Sequence, residues 1–212
     1  MVAHLDESCL GNGREGSNPG GAAGLIETRT TRGVERREFY VSAPATTNNR
    51  MALMSAITLL EILAAKGHRL RVLVISDSEY LVRGCREWLP GWVARGWKRK
   101  AGPIENLELW RSLHSALTLH DTQLVWVRGH AGHLKNEFVN DLAIRAAREQ
   151  IATKGAVEST LPDWLAAQRD KGRYLESDPD ASYAVLEQRV AAGERFAMSL
   201  DERAVSAAAG DR

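Results

Sequence analysis

The stretch HRLRVLVISDSEYLVRGCREWL, residues 68–89, decides the fold class of this chain. Its first half, up to Ser76, is rich in β-branched and apolar residues, which is typical of a strand buried on both faces of a sheet. The pattern changes at Asp77, and the residues that follow have the spacing of an amphipathic helix. A doubly buried strand that runs into a helix is the repeating unit of α/β proteins, so this stretch predicts a parallel strand with a helix packed on the sheet.

The flanking segments extend this α/β pattern in both directions. Residues 1–10 predict a strand, and residues 22–43, with a turn near Gly33, predict two more. Further elements are predicted as follows: a helix over residues 51–67, a helix over 106–117, a buried strand over 122–130 and a helix over 134–150. The order β-β-β-α-β-α-α-β-α predicts a mixed sheet, antiparallel at its start and parallel later, with helices packed on it.

The composition excludes several classes of protein. No run of about 18 apolar residues is present, so we expect no contact with a membrane, and the first residues do not have the pattern of a secretory signal. The two cysteines, Cys9 and Cys85, are too few for a disulfide scaffold and indicate a reducing, cytoplasmic location. The net charge is only +1, so any binding of nucleic acid requires a local basic patch. We expect a monomer.

The composition changes near Ile151. Residues 151–212 are rich in Ala, Asp, Glu and Arg, and amphipathic helices are predicted near Trp164 and from Tyr183 to Met198. This segment carries no catalytic motif. We therefore expect a catalytic domain over residues 1–150, followed by an accessory, helical or partly disordered extension over residues 151–212 rather than a second catalytic domain.

Two acidic residues occupy places where ligands bind in α/β sheets. Asp6 lies in the first predicted strand and Asp77 ends a later one, and glycine-rich loops lie nearby. Single acids at such places are more often caps or surface residues, but two carboxylates that converge there bind divalent metal. His130, in the loop RGHAGH, is either a solvent-exposed residue or a proton carrier, because histidine changes its charge near neutral pH.

The segment CREWLPGWVARGWKRKAG, residues 85–102, combines aromatic and basic residues. Tryptophans at helical spacing more often belong to a core than to a binding surface, but a core does not need a dense basic cluster. Aromatic faces beside cations suit a sugar–phosphate backbone. The segment therefore predicts contacts with nucleic acid through Trp88, Trp92, Trp97, Lys98, Arg99 and Lys100.

Six segments in order resemble type 1 ribonuclease H: LDESCLGN, TTNNRMALM, ISDSEYL, WVARGWK, NLELW and VRGHAGHLKNEFVNDLA. The resemblance covers about residues 1–150. It implies a ribonuclease H-like fold, with a five-stranded mixed sheet flanked by helices. It also implies an endonuclease that hydrolyses the RNA strand of RNA/DNA hybrids and leaves 3′-hydroxyl and 5′-phosphate ends. Members of the family use two Mg²⁺ or Mn²⁺ ions, which four acidic residues hold.

The resemblance assigns roles to individual residues of this chain. Asp6 matches the first acidic residue and Asp77 the third, so both are expected to bind metal. His130 matches a loop histidine that helps the product to leave. Four further residues match positions that contact the nucleic-acid backbone: Asn12, Thr47, Asn48 and Asn49. The tryptophan segment matches the basic protrusion that binds the DNA strand. Free N–H groups at a helix N-terminus bind phosphate.

The chain departs from the family at two of the four acidic positions and at one glycine beside the first of them. Ala52 stands where the second acid, a glutamate, is expected, and alanine offers no ligand. Asn140 stands at the fourth acid; its carbonyl can still bind a hard cation without adding negative charge. Glu7 replaces a glycine beside Asp6, and because neighbouring strand residues face opposite ways, Glu7 is predicted not to replace the lost ligand.

Ala52 therefore allows two interpretations. It is either a deliberate removal in a working enzyme, which we favour at this point, or the mark of a natural pseudo-enzyme. In both cases the chain with alanine at position 52 is predicted to be impaired or inactive. The alternative function is a module that binds RNA/DNA hybrids without cleaving them, and a different nuclease of the same superfold is a third candidate.

Overall fold

The computed structural model describes residues 1–11, 18–65, 67–129 and 132–200. In these ranges a mixed β-sheet has helices on both faces. The strands are β1 (Val2–Cys9), β2 (Gly20–Thr30), β3 (Gly33–Ala43), β4 (Arg71–Ser76), β5 (Asp121–Trp126) and β6 (Val157–Glu158). The helices are α1 (Asn48–Ala64), α2 (Glu79–Arg83), α3 (Leu89–Ala94), α4 (Leu107–Leu117), α5 (Leu134–Glu149), α6 (Leu161–Arg169) and α7 (Pro179–Ala191), with a π-helical turn (Gly84–Trp88) between α2 and α3.

The strand order across the sheet is β5-β4-β1-β2-β3-β6. Strands β1, β4 and β5 are parallel to one another, whereas β1, β2, β3 and β6 pair antiparallel. The ladder between β1 and β4 ends at the pair Leu5 and Ser76. Asp6 and Asp77 are therefore the first residues beyond this pair, at the carboxyl ends of two adjacent parallel strands, where ligands bind in open α/β sheets.

One face of the sheet packs against α1 to α4. Strand alternation places Ala3 and Leu5 of β1 on this face, where they lie in one buried cluster with Ala52 of α1 and Trp110 of α4. Helix α1 has its apolar residues at helical spacing, so its inner side is buried against the sheet along its length. This cluster is the larger part of the core.

The opposite face packs against α5 and α7. Helix α5 lies very close to β2: a Cβ atom at Gly21 would come within 2.3 Å of the backbone oxygen of Ala143, so a larger residue would separate the helix from the sheet. Helix α7 covers β1, β4 and β5, where Tyr183 and Leu186 join Val2 and Leu73 in a second buried cluster. The C-terminal extension thus completes the core on this face.

The mixed sheet with flanking helices that the sequence predicts is confirmed, but the described residues form six strands rather than five. The additional strand, β6, belongs to the extension and pairs with β3. The second helix of the extension ends at Ala191, not near Met198. Residues 198–200 instead run beside β5, where Trp126 donates its backbone N–H to Met198 O at 2.7 Å.

None of the helices in the described ranges is long and apolar enough to cross a bilayer.

Candidate active site

Three carboxylates meet just beyond the end of the parallel ladder between β1 and β4. Asp6, Glu7 and Asp77 each contribute an oxygen atom that lies within 4.8 Å of the others. Asp6 is buried, and Glu7 and Asp77 are half-buried. Such a group of oxygen ligands is the type that binds Mg²⁺ or Mn²⁺ in proteins.

Glu7 leaves β1 on the face opposite to Asp6, as strand alternation predicts, but one of its carboxylate oxygens nevertheless lies within 4.8 Å of those of Asp6 and Asp77. Strand alternation fixes the face from which a side chain leaves a regular strand, and it holds at Glu7, which is paired with Ala22 of β2. However, the ladder with β4 ends at Leu5, so the next two residues of β1 border an opening at the edge of the sheet. Side chains from both faces reach this opening, and the long glutamate brings its carboxylate beside that of Asp6.

Hydrogen bonds hold the Asp6 carboxylate in place. Its Oδ1 atom accepts the backbone N–H of Glu7 at 2.7 Å, and its Oδ2 atom accepts the side-chain amide of Asn136 at 3.0 Å. Gly129 makes room for the carboxylate of Asp77. A Cβ atom at residue 129 would lie only 2.3 Å from Asp77 Oδ2, so a larger residue there would collide with this carboxylate.

The electrostatics of the cluster favour a bound cation. Burial raises the pKa of Asp6 well above its usual value, and the charges of Asp77 and Glu7 raise it further. Burial, followed by the charge of Asp77, raises the pKa of Glu7 to about 8, against a smaller opposing effect of a hydrogen bond with Ser78. Glu7 Oε2 is buried and accepts no hydrogen bond from any residue that the structure describes. A divalent ion would supply both the missing charge and the missing partner.

Ala52 lies in the core of the protein. It is fully buried, in the cluster that also contains Ala3 and Leu5. Glu7 leaves β1 on the same face as these two residues, since all three have odd numbers along the strand. Glu7 and Ala52 therefore lie on the same face of the sheet.

Helix α5 places two asparagines along one side. Asn136 contacts Asp6, and Asn140 is half-buried one turn later on the same side of the helix. Asp141 instead accepts the indole N–H of Trp164 at 2.8 Å, so its carboxylate faces the extension. This direction agrees with the expectation that Asp141 does not substitute for Asn140.

The N-terminus of α1 is a polar opening without acidic residues in its first turn. Thr47 is the N-cap, and its hydroxyl accepts the backbone N–H of Arg50 at 3.3 Å. Thr47 is exposed, while Asn48 and Asn49 are half-buried. Free backbone N–H groups and the helix dipole at this end favour an anion such as phosphate.

The tryptophan segment divides into a buried part and an exposed part. Trp92 is only 8% exposed and packs with Trp88 and Trp110, so the expectation that Trp92 presents its face to a substrate is wrong. Trp88 is half-buried in the same aromatic group. Trp97 is half-buried against His114 and Arg111. The cations that follow, Lys98, Arg99 and Lys100, are exposed.

Two predicted site residues, Asn12 and His130, lie outside the described residues. Two others were missed by sequence reasoning. Strand alternation argues against Glu7 as a ligand, although an acid directly after Asp6 is a usable signal. No motif singles out Asn136, although its position four residues before Asn140 places it on the same side of a helix.

Comparisons with known proteins agree with this architecture. The RNase H family model matches residues 1–148. Ribonuclease H of Aromatoleum aromaticum is 40% identical over 156 residues, which are 71% of this chain and 92% of the relative. Ribonuclease H of Pseudomonas aeruginosa is 41% identical over 151 residues, which are 70% of this chain and 94% of the relative.

A solved structure is also similar. The crystal structure of LC9-RNase H1, described as a type 1 RNase H with the type 2 active-site motif, superposes with a TM-score of 0.73 at 49% identity. The match covers 78% of this chain and 80% of that one. Together these matches show that the chain belongs to the type 1 ribonuclease H family.

Proposed function

We propose that this chain is an endoribonuclease that hydrolyses the RNA strand of RNA/DNA hybrids, with divalent metal held by Asp6, Glu7 and Asp77. The observation that carries the proposal is the approach of these carboxylates to within 4.8 Å of one another at the end of two parallel strands. The relatives named Ribonuclease H support the reaction class, and a buried Glu7 oxygen without a hydrogen-bond donor among the described residues supports the metal.

The metal is proposed to be Mg²⁺ or Mn²⁺, with two ions in the active form and with Asn140 as a further, neutral ligand. When bound, such ions lower the pKa of water to give a nucleophile and stabilise the departing oxygen. The protein holds the ligands in advance: the backbone N–H of Glu7 and the amide of Asn136 orient the two oxygens of Asp6. His130 is proposed to assist release of the product.

Hybrid binding is proposed to use the N-terminus of α1 and the exposed cations after Trp97. Thr47, Asn48 and Asn49 would contact one phosphate of the backbone, and Asn12 would contact another position. Lys98, Arg99 and Lys100 would neutralise phosphates of the DNA strand. Of the three tryptophans, the half-buried Trp88 and Trp97 keep an accessible edge for this role.

We further propose that the chain is active as it stands, and that Glu7 takes the role of the glutamate that is absent from position 52. Glu7 provides the carboxylate on the face of the sheet where Ala52 packs, so no removal of a ligand needs to be assumed. LC9-RNase H1, described as a type 1 enzyme with a type 2 active-site motif, is a precedent for a changed motif on this fold.

The test is cleavage of a labelled RNA/DNA hybrid with Mg²⁺ or Mn²⁺, compared with the RNA duplex, the DNA duplex and EDTA. We expect cleavage of the RNA strand of the hybrid and a loss of at least 100-fold in Glu7→Gln. If the purified chain binds the hybrid but does not cut it with either metal, it is a binding module instead. If Glu7→Gln cuts normally, Glu7 is not a ligand.

A cytoplasmic location and a monomeric state are also proposed. Both cysteines are free, which suits a reducing compartment, and the described site residues come from one chain. Sedimentation of the purified protein tests the monomer.

A further inference from the structure

A second group of charged residues is buried next to the active site. Glu27 of β2 is fully buried, and its carboxylate accepts hydrogen bonds from Lys135 Nζ at 2.7 Å and from Arg36 Nε at 2.9 Å. His4 Nε2 lies 3.6 Å from the same carboxylate. Burial by itself raises the pKa of Glu27, but Lys135 and then His4 more than offset it, so the pKa falls to about 2. The glutamate is therefore an anion held between cations.

Two members of this group, Lys135 and His4, lie close in sequence to residues of the carboxylate cluster or to their hydrogen-bond donor. Lys135 directly precedes Asn136, whose amide donates to Asp6 at 3.0 Å, so the bond to Glu27 fixes the first turn of the helix that carries this donor. His4 is two residues before Asp6 and leaves β1 on the same face. Glu27 is thus joined to both elements that determine where Asp6 and its donor meet.

The extension closes this group from outside. Arg36 also pairs with Asp180 of α7, and the buried ring of Tyr183 lies 6.0 Å from Lys135 Nζ. The side chains of Lys135 and Glu27 are only 6% and 0% exposed, and buried ion pairs are screened much less than pairs at the surface. The hold of Glu27 on Lys135 is correspondingly strong.

We propose that Lys135, Glu27 and Asn136 are positioning residues of the active site: Glu27 anchors Lys135, and Lys135 sets the start of α5 so that Asn136 orients the Asp6 carboxylate for metal. The inference rests on the proposed function, since it assigns Asp6 to the metal. A merely structural role would also account for a buried ion pair, so the test must separate orientation of Asp6 from stability of the fold.

The experiment compares Asn136→Ala, Lys135→Met and the double variant in the full chain. For each, kcat and KM are measured on the hybrid, and Mn²⁺ binding is measured by calorimetry without substrate. We expect each single change to lower kcat and Mn²⁺ affinity by tenfold or more, with KM for the hybrid within twofold. The double variant should be no more than twofold worse than the worse single variant, because both changes break one chain of contacts.

Arg36→Met is the matched control. It removes another cation from the same buried carboxylate, and the hydrogen bonds of Arg36 go to Glu27 and to Asp180 of α7 rather than to a residue of α5. We expect its melting temperature to fall as far as that of Lys135→Met, while its kcat and Mn²⁺ affinity stay within twofold of the original chain. Should Lys135→Met fail to fold, Glu27→Gln gives the same measurements, because the amide keeps the shape of the side chain and weakens its hold on Lys135.

Three results would each overturn the inference. The first is an Asn136→Ala variant with unchanged kcat and Mn²⁺ affinity. The second is independent, multiplicative losses in the double variant, and the third is a loss of kcat and Mn²⁺ affinity in Arg36→Met equal to that in Lys135→Met. Failure of the proposed function looks different: the original chain itself would leave the hybrid uncut, while the calorimetric comparison would still report on the position of Asp6.

Discussion

The indole N–H of Trp126 donates a hydrogen bond of 2.9 Å to the backbone oxygen of Asp77, so the last residue of β5 supports the loop that follows β4. The backbone of Trp126 is in turn bonded on both sides to the extension, through Met198 and Leu200. Trp126 thus connects Asp77 of the active-site cluster, through its side chain, to the C-terminal segment, through its backbone.

Trp126→Phe is expected to weaken metal binding. The phenyl ring keeps most of the packing but loses the bond to Asp77, which should cost about 1 kcal/mol of unfolding free energy. Calorimetry should show Mn²⁺ affinity reduced severalfold. Trp164→Phe is the control, because it loses a comparable bond to Asp141, away from the three carboxylates. Equal Mn²⁺ affinities in the two variants would contradict this prediction.

Ala52→Glu is expected to destabilise the protein without raising its activity. Ala52 has no exposed surface, and a carboxylate there must either be buried or displace Leu5 and its neighbours. Burial of a charged group in a packed core should cost about 3 kcal/mol or more. Chemical denaturation measures the loss.

The control for Ala52→Glu is Ala65→Glu, because Ala65 is exposed at the end of the same helix. Its unfolding free energy should change little. A large gain in hybrid cleavage by Ala52→Glu would instead show that Ala52 is a defect and that Glu7 does not replace the missing ligand.

The stability of the metal-free protein is expected to fall as the pH rises from about 5 to 8. The pKa of Glu7 is raised to about 8 by burial and by Asp77, and that of Asp6 is also raised. Between the unfolded and folded pKa values the folded state holds protons that the unfolded state has released. The free energy of unfolding therefore decreases with pH, by at most about 1.4 kcal/mol per pH unit for each proton.

The same protons compete with metal, so Mn²⁺ should stabilise the protein more as the pH approaches 8. Melting temperatures with EDTA and with Mn²⁺, recorded from pH 5.5 to 8.5, check both trends. Glu7→Gln removes one titrating group, and its metal-free curve should be flatter. A metal-free melting temperature that does not depend on pH would show that the carboxylates ionise normally.

Replacing Lys98, Arg99 and Lys100 by alanine is expected to flatten the salt dependence of hybrid binding. Each lost phosphate contact should reduce the slope of log K against log salt by roughly 0.7 to 0.9. Fluorescence anisotropy, with all variants made in the Glu7→Gln background, measures this slope for binding of the hybrid while the hybrid stays uncut. The control is Lys154→Ala with Lys171→Ala, two exposed lysines of the extension. An unchanged slope in the triple variant would place the hybrid elsewhere on the surface.

Much of the fold follows from local patterns. The continuous apolar run before Asp77 predicts a parallel strand buried on both faces, and the apolar residues at helical spacing after the N-cap Thr47 predict α1. Asp77 is identifiable because it stands where a predicted strand ends, at an edge of the sheet where ligands bind. These inferences need only the period of a strand or a helix and the chemistry of the residues that interrupt it. Asp6 lies within a predicted strand, and its role is identified by the resemblance to the family.

The sequence by itself therefore determined the mixed sheet, its helices and two of the three clustered acids. Only the tertiary structure decided that the Glu7 carboxylate approaches Asp6 and Asp77, because alternation fixes the face from which a side chain leaves a strand but not where a long side chain ends beyond the ladder with β4. It also decided that Trp92 is buried and that α7 covers Glu27 and Lys135, since core tryptophans and exposed ones share the same helical spacing. Local periodicity fixes which side of an element is apolar, whereas the element that covers that side depends on contacts distant in the chain.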